Sequence, residues 1–200
     1  MNTTNINKQN SHLDLTDPDV QAVLTLYDKH EETPYIAATR DLKDWLNKVE
    51  IGTETLVPKR NTVRLENDLL LGHIILLWRI NFGTFTSESV FPKYFEYDYG
   101  INAKQALTEL LEKNYARQFS AQESLTHLNA PQLKHLLKLK DVTGYSKLKK
   151  AELMDKVREV YSEKELSSQF DVRGYALTQD GISLLAKHDE VVDKHPKKKF

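Results

Sequence analysis

The sequence predicts a mainly α-helical chain with one small β-hairpin, and three observations carry that prediction. Apolar residues recur at helical spacing through most of the 200 residues. Asn, Thr and Asp stand ahead of several of these stretches, where their side chains cap helix starts. Only two short segments, Tyr115 to Phe119 and Arg173 to Leu177, read as strands.

Composition bounds the function before any motif does. The chain is 40% hydrophobic and 28% charged, ordinary for a folded globular protein. It has no cysteine, which excludes disulfides, thiolate metal sites and cysteine nucleophiles and suits a reducing cytoplasm. The longest apolar run, Leu69 to Trp78, contains Gly72 and His73 and is too short to span a bilayer. The opening "MNTTNINKQNSH" lacks the apolar core of a signal peptide. The expectation is an intracellular protein with no membrane partner. A net charge of -1 gives no global bias toward nucleic acid, so the position of the charges decides.

Taken in order, residues 1–15 are polar and predict a mobile arm. Thr16, Asp17 and Pro18 start a helix through Tyr27, and a second is predicted from Ile36 to Val49 with Leu42, Trp45, Leu46 and Val49 on one face. Residues 50–64 hold Gly, Pro and β-branched residues without a helical period, a loop that closes an N-terminal segment over 16–64. A helix from Glu66 to Ile80 is apolar nearly all round, so neighbours or another subunit must bury it. The aromatics Phe91, Tyr94, Phe95, Tyr97 and Tyr99 read as core. Asn102 caps a helix with Ala106, Leu107, Leu110 and Leu111 as its stripe, ending near Asn114 in a left-handed turn. Thr178 caps a later helix carrying Ile182, Leu184 and Leu185.

The pairing of "LTELLEKNYARQF" with the later "GYALTQDGISLL" resembles the two sides of a winged-helix domain of the MarR and PadR kinds. The resemblance implies that the two strands pair, that 65–121 and 168–193 form a winged-helix-like body, and that 122–167 replaces the wing tip.

That intervening stretch holds the strongest charge bias. Lys134, Lys138, Lys140, Lys147, Lys149 and Lys150 face the single carboxylate Asp141, whereas the first sixty residues are rich in Asp and Glu. Asn129 and Pro131 start a helix with Leu133, Leu136 and Leu137 inside, and a second helix from Lys149 to Tyr161 buries Leu153, Met154, Val157 and Val160. Two short helices around an extended connector resemble the SAP domain, and "GYSKLKKAEL" also resembles the helical segment at the start of transcription termination factor Rho. The family's leucines fall on Leu133, Leu136 and Leu137, its glycine on Gly144, and its Lys-Lys-x-x-Leu on Lys149, Lys150 and Leu153. Tyr145, Ser146, Lys147 and Leu148 lengthen the connector beyond the usual pattern. The resemblance implies a DNA partner, with single-stranded nucleic acid as the alternative, and a bacterial or phage setting.

Physical chemistry points the same way for Lys134, Lys138, Gly144, Tyr145, Ser146, Lys147, Lys149 and Lys150. Helix-start N–H groups bind phosphate oxygens, and neighbouring lysines add counterion release. Lysines there oppose the helix dipole, which makes them poor for stability alone. The bland alternative is a solvated charge run. His188 and His195 with Asp189, Glu190 and Asp193 match no standard metal spacing, and His30 before Glu31 and Glu32 lacks the second histidine of a zinc-protease helix. No catalytic motif or cofactor loop is present, and the basic end 194–200 is expected to be mobile. The reading is a noncatalytic, cofactor-free, DNA-binding protein. Its competitor is a protein-protein adaptor or homo-oligomer in which the Leu69–Trp78 helix and the N-terminal helices form the interface and the lysines are incidental.

Overall fold

The computed structural model describes residues 8–196 as eleven α-helices, short 3-10 turns and one antiparallel strand pair. The chain is therefore mainly α with a small β-hairpin. The N-terminal helices are α1 (Pro18–Leu26) and α2 (Leu42–Glu50). Then come α3 (Leu71–Asn81), α4 (Tyr94–Tyr97) and α5 (Ala103–Glu112), followed by β1 (Ala116–Gln118), α6 (Ala121–Ser124), α7 (Ala130–Leu139), α8 (Lys150–Val160), α9 (Glu163–Ser167) and β2 (Tyr175–Leu177). The described chain ends with α10 (Gln179–Lys187) and α11 (Asp189–Asp193). No described helix is long and apolar enough to cross a membrane.

Three buried clusters organise these elements. The largest surrounds α3, whose Ile74, Ile75, Leu76, Leu77 and Ile80 are completely buried by the chain's own α5, α10, α11 and β2. Of the two expected ways of burying this helix, neighbours in the same chain are the one found: within the Leu69–Trp78 run only Leu71 and Trp78 are partly exposed, and the rest is core. A second cluster gathers Val23, Tyr27, Ile36, Trp45 and Val57 at the N-terminal end. The third lies between the strands, with Leu125, Leu133, Leu137, Leu153 and Val157 fully buried.

β1 and β2 pair with Ala116 opposite Leu177, Arg117 opposite Ala176 and Gln118 opposite Tyr175. Thr86 forms a further antiparallel bridge to Gly174. The third cluster is thus carried on two strands of the first. Its boundary runs later than 167, because Phe170 and Val172 pack against it. Glu163 fastens its entry and exit, accepting from Ala121 N at 2.6 Å and Gln122 N at 2.9 Å.

Local hydrogen bonds explain where helix boundaries depart from the apolar pattern. Residues 36–41 are not helical, because Ile36 N donates to Asn10 Oδ1 and Ala37 N to Glu96 Oε1, and Asp41 caps α2 instead. Residues 66–70 form a turn, with Asp68 at φ 66° and Leu65 N donating to Leu69 O at 2.8 Å. At Asn114, φ 59°, the predicted left-handed stop of α5 is present, with Tyr115 N bonded to Leu110 O and Asn114 N to Leu111 O.

Part of the predicted mobile arm makes contacts with the fold. Asn10 is buried and donates to Thr33 O and Pro34 O, and His12 Nε2 lies 2.8 Å from Ile36 O. Residues 1–7 of the arm and 197–200 of the basic end lie outside the described residues. His195 is buried against Trp78, Tyr94 and Tyr99, which anchors the start of that basic end.

Candidate nucleic-acid interface

The lysine-rich unit is built on α7, α8 and their connector. Asn129 caps α7: its side chain accepts from Gln132 N at 2.9 Å, and Gln132 Oε1 accepts from Asn129 N at 2.8 Å. The helix closes with Asp141 at φ 53°, Val142 N bonded to Leu137 O and Asp141 N to Lys138 O. That pair of bonds is a Schellman closure, here with Asp in the position glycine usually takes. Val142, Tyr145 and Leu148 then pack against the third cluster, so the long connector is anchored by apolar side chains. Gly144 makes the reversal at φ 76°, and a Cβ there would meet nothing within 4 Å.

The lysines divide into four groups. Lys134 donates to Ser146 O at 2.8 Å, which fastens α7 to the connector carrying Tyr145, Ser146 and Lys147. Lys150 turns away from that seam and donates to Thr126 O at 2.6 Å. Lys140 lies over the Tyr161 ring and pairs with Glu165 at 2.5 Å, so its charge is already countered. Lys138, Lys147 and Lys149 are exposed, and their ammonium groups have no partner among the described residues.

The start of α8 differs from the sequence expectation. Lys149 is the N-cap residue with φ −73° and ψ 163°, so Lys147 and Lys149 precede the helix rather than fill its first turn. Glu152 occupies that turn and accepts from Lys149 N at 2.8 Å. The dipole therefore has an acidic partner, and the lysines stand in front of it. Sequence reasoning missed Glu152 because a capping box is usually recognised from a Ser or Thr three residues earlier, and here the position holds lysine.

The other candidates have structural roles. Phe95 and Tyr99 are buried, Phe91 and Tyr94 pack against them, and Tyr97 packs on the N-terminal cluster beneath Arg40. His30 Nε2 lies 2.8 Å from Val57 O. Tyr99 Oη is 2.8 Å from His195 Nδ1, burial pushes the Tyr99 phenol up to about 12, and His188 Nδ1 lies 3.7 Å from Glu190. Among the described residues no group of three or more His, Asp or Glu could hold a metal ion. His73, which the sequence reading left inside an apolar helix, is a cap: its Nδ1 accepts from Leu70 N at 3.2 Å, and its Nε2 lies 3.0 Å from Glu109.

These environments set a two-stage acid response. Burial lowers both His127 and His195 from the ordinary 6.5, with the Lys150 charge adding to the effect at His127. Groups depressed in the fold contribute stability above their unfolded value and lose it as pH falls. The melting temperature should thus be flat above neutrality and begin to fall below about pH 6.5. A steeper loss follows below about pH 4.5. There Glu109, held down by its bond to His73, loses its charge, as do Glu123 and Glu165, each held at about 2 first by Arg117 or Lys140 and then by a backbone N–H. Thermal melts across this range check the order, and a His195→Gln variant should shrink the first stage, leaving the His127 part, without altering the second.

No protein-family model matches the chain, and neither a curated protein nor a solved structure matches it.

Proposed function

We propose that the chain is a noncatalytic DNA-binding protein whose lysine-rich, SAP-like hairpin contacts phosphates. The observation that carries this reading is the set Lys138, Lys147 and Lys149: exposed, without an acidic partner among the described residues, and mounted on a unit with its own core. Lysines in that condition keep their full charge for counterion release from a polyanion. A bridge at Thr86, helices α4 and α5, and the paired β1 and β2 also occur in the order a winged-helix-like body requires, which supports that part of the resemblance. The body's α5 is not basic, having Lys104 and Lys113 near Glu109 and Glu112, so the inserted hairpin is the better phosphate contact. The adaptor reading keeps only the N-terminal helices as its surface, since the apolar helix is buried within the chain.

The test is a Lys138→Ala, Lys147→Ala, Lys149→Ala triple variant, which leaves Lys134 and Lys150 to their structural bonds. It should melt like the wild type, and at about 50 mM salt it should bind duplex DNA at least about tenfold more weakly. Wild-type affinity in a folded triple variant contradicts the proposal.

A further inference from the structure

We infer that the cavity lined by residues 55–61, Asp98, Tyr99 and α11 binds a small zwitterion, a free aliphatic α-amino acid. The cavity measures about 290 Å³, the small end of the range for small-molecule pockets. Stretches far apart in the chain converge on it, and Leu56, Leu71, Tyr99 and Val191 give it an apolar wall. The Tyr99 hydroxyl is already bound to His195 Nδ1 at 2.8 Å.

The polar groups decide the chemistry of the ligand. Asn61 lines the cavity yet is only 5% exposed, and its Nδ2 donates to Asp98 O at 2.6 Å. That bond fixes the carboxamide and leaves Oδ1, a neutral acceptor, without a partner among the described residues. A buried acceptor in that state calls for an N–H donor. Asp98 and Glu190 add negative charge to the lining, and Arg60 and Lys194 add positive charge; all four are exposed, whereas Asn61 and Tyr99 are buried. Glu190 lies 3.7 Å from His188, but the side chains of Arg60, Asp98 and Lys194 form no hydrogen bond or ion pair among the described residues. Opposite charges that face one cavity without meeting leave both signs available to a ligand. Burial raises the Asp98 carboxyl above its ordinary value, against the pull of His195.

Two cations and two carboxylates together select a ligand that is neutral overall and carries both signs. A phosphate ester would be repelled by Asp98 and Glu190, and a purely apolar molecule would leave Asn61 Oδ1 unpaired. An amino acid meets every demand: its ammonium donates to Asn61 Oδ1 and Asp98, its carboxylate accepts from Arg60 and Lys194, and its aliphatic side chain packs on the apolar wall. The inference does not rest on nucleic-acid binding, since the cavity lies outside the lysine-rich unit.

Isothermal titration of the full chain with L-leucine, L-isoleucine and L-valine tests the site. At least one should bind with a Kd below about 1 mM and raise the melting temperature. The same amino acid with its ammonium acetylated, or with its carboxylate converted to the amide, should bind at least about tenfold more weakly. Asp98→Asn spares the Asn61 bond to the main chain, so the variant should melt like the wild type. It should bind the amino acid at least about tenfold more weakly and the acetylated form as the wild type does. Arg60→Ala combined with Lys194→Ala should likewise weaken the amino acid's binding and leave that of the amide unchanged. No binding of any of the three amino acids at about 10 mM, equal affinity for the blocked derivatives, or full affinity in the folded variants overturns the inference. DNA binding is judged on its own titration, whichever of these results is found.

Discussion

Gly181→Ala is expected to destabilise the whole body by about 3 kcal/mol, the upper end of the usual cost of overfilling a packed site. For a chain of this size that is a fall of about 6–12 °C in melting temperature. The glycine lies in the first turn of α10, where Thr178 Oγ1 accepts from Gly181 N at 3.1 Å and donates to Asn114 O at 2.6 Å. A Cβ on Gly181 would overlap the Tyr115 carbonyl oxygen and come 2.9 Å from its carbon. That oxygen is fixed by Thr178 N at 3.1 Å, so it cannot withdraw without breaking the joint between α5, β1 and α10. Gly144→Ala is the matched control: its Cβ meets nothing, and only the positive φ is strained, at about 1 kcal/mol. Calorimetric melts of the two variants should differ accordingly. Equal, small effects would show that α10 does not close on Tyr115 as described.

Leu153→Ala should cost about 2–5 kcal/mol in the lysine-rich unit, because the side chain is fully buried between α7 and α8. The effect should be local. The unit has its own apolar cluster, and its described polar ties to the strands and their flanks lie at its two ends: Arg117 of β1 to Glu123 at 2.8 and 2.9 Å, Gly174 N to Ser124 Oγ at 3.2 Å, and Arg173 to Phe170 O and Val172 O at 2.8 and 2.9 Å. Amide exchange should therefore speed up across 121–172 while α3 and α5 retain their protection. Tyr161 should report the same loosening, since its hydroxyl donates to Leu136 O at 2.8 Å across the helix pair. Loss of protection throughout the chain would mean that the third cluster and the body fold as one cooperative unit.

Much of this architecture is legible from local chemistry. Asn102, Asn129 and Thr178 declare helix starts because their short oxygen-bearing side chains have few better uses, and each does accept from the backbone N–H three residues on. The strand pair is legible as two short alternating segments. What hydropathy misreads is helix length: Ile36 and Leu69 are apolar and fully buried, but backbone donors around Ile36 go to Asn10 and Glu96, and His73 caps α3 from within. The distant partners of Ile36 and Ala37 leave no periodic trace, and a histidine cap three residues into a helix is hidden within an apolar run.

The site is legible only in part for the same reason. The spacing identifies a lysine cluster, but whether each ammonium is committed depends on contacts far along the chain. Lys140 meets Glu165 and Lys150 meets Thr126 O, 25 and 24 residues away, and neither separation follows a helical repeat. The three lysines left over could be identified only once the helices were packed.

The measurement that bears most directly on the account is the salt dependence of wild-type binding to duplex DNA. Three neutralised phosphates predict a slope of about −2.7 in log affinity against log salt, a loss of about 40-fold between about 50 and 200 mM. No binding at the lower salt, or binding that is insensitive to salt across that range, would contradict the proposal that the hairpin contacts phosphates.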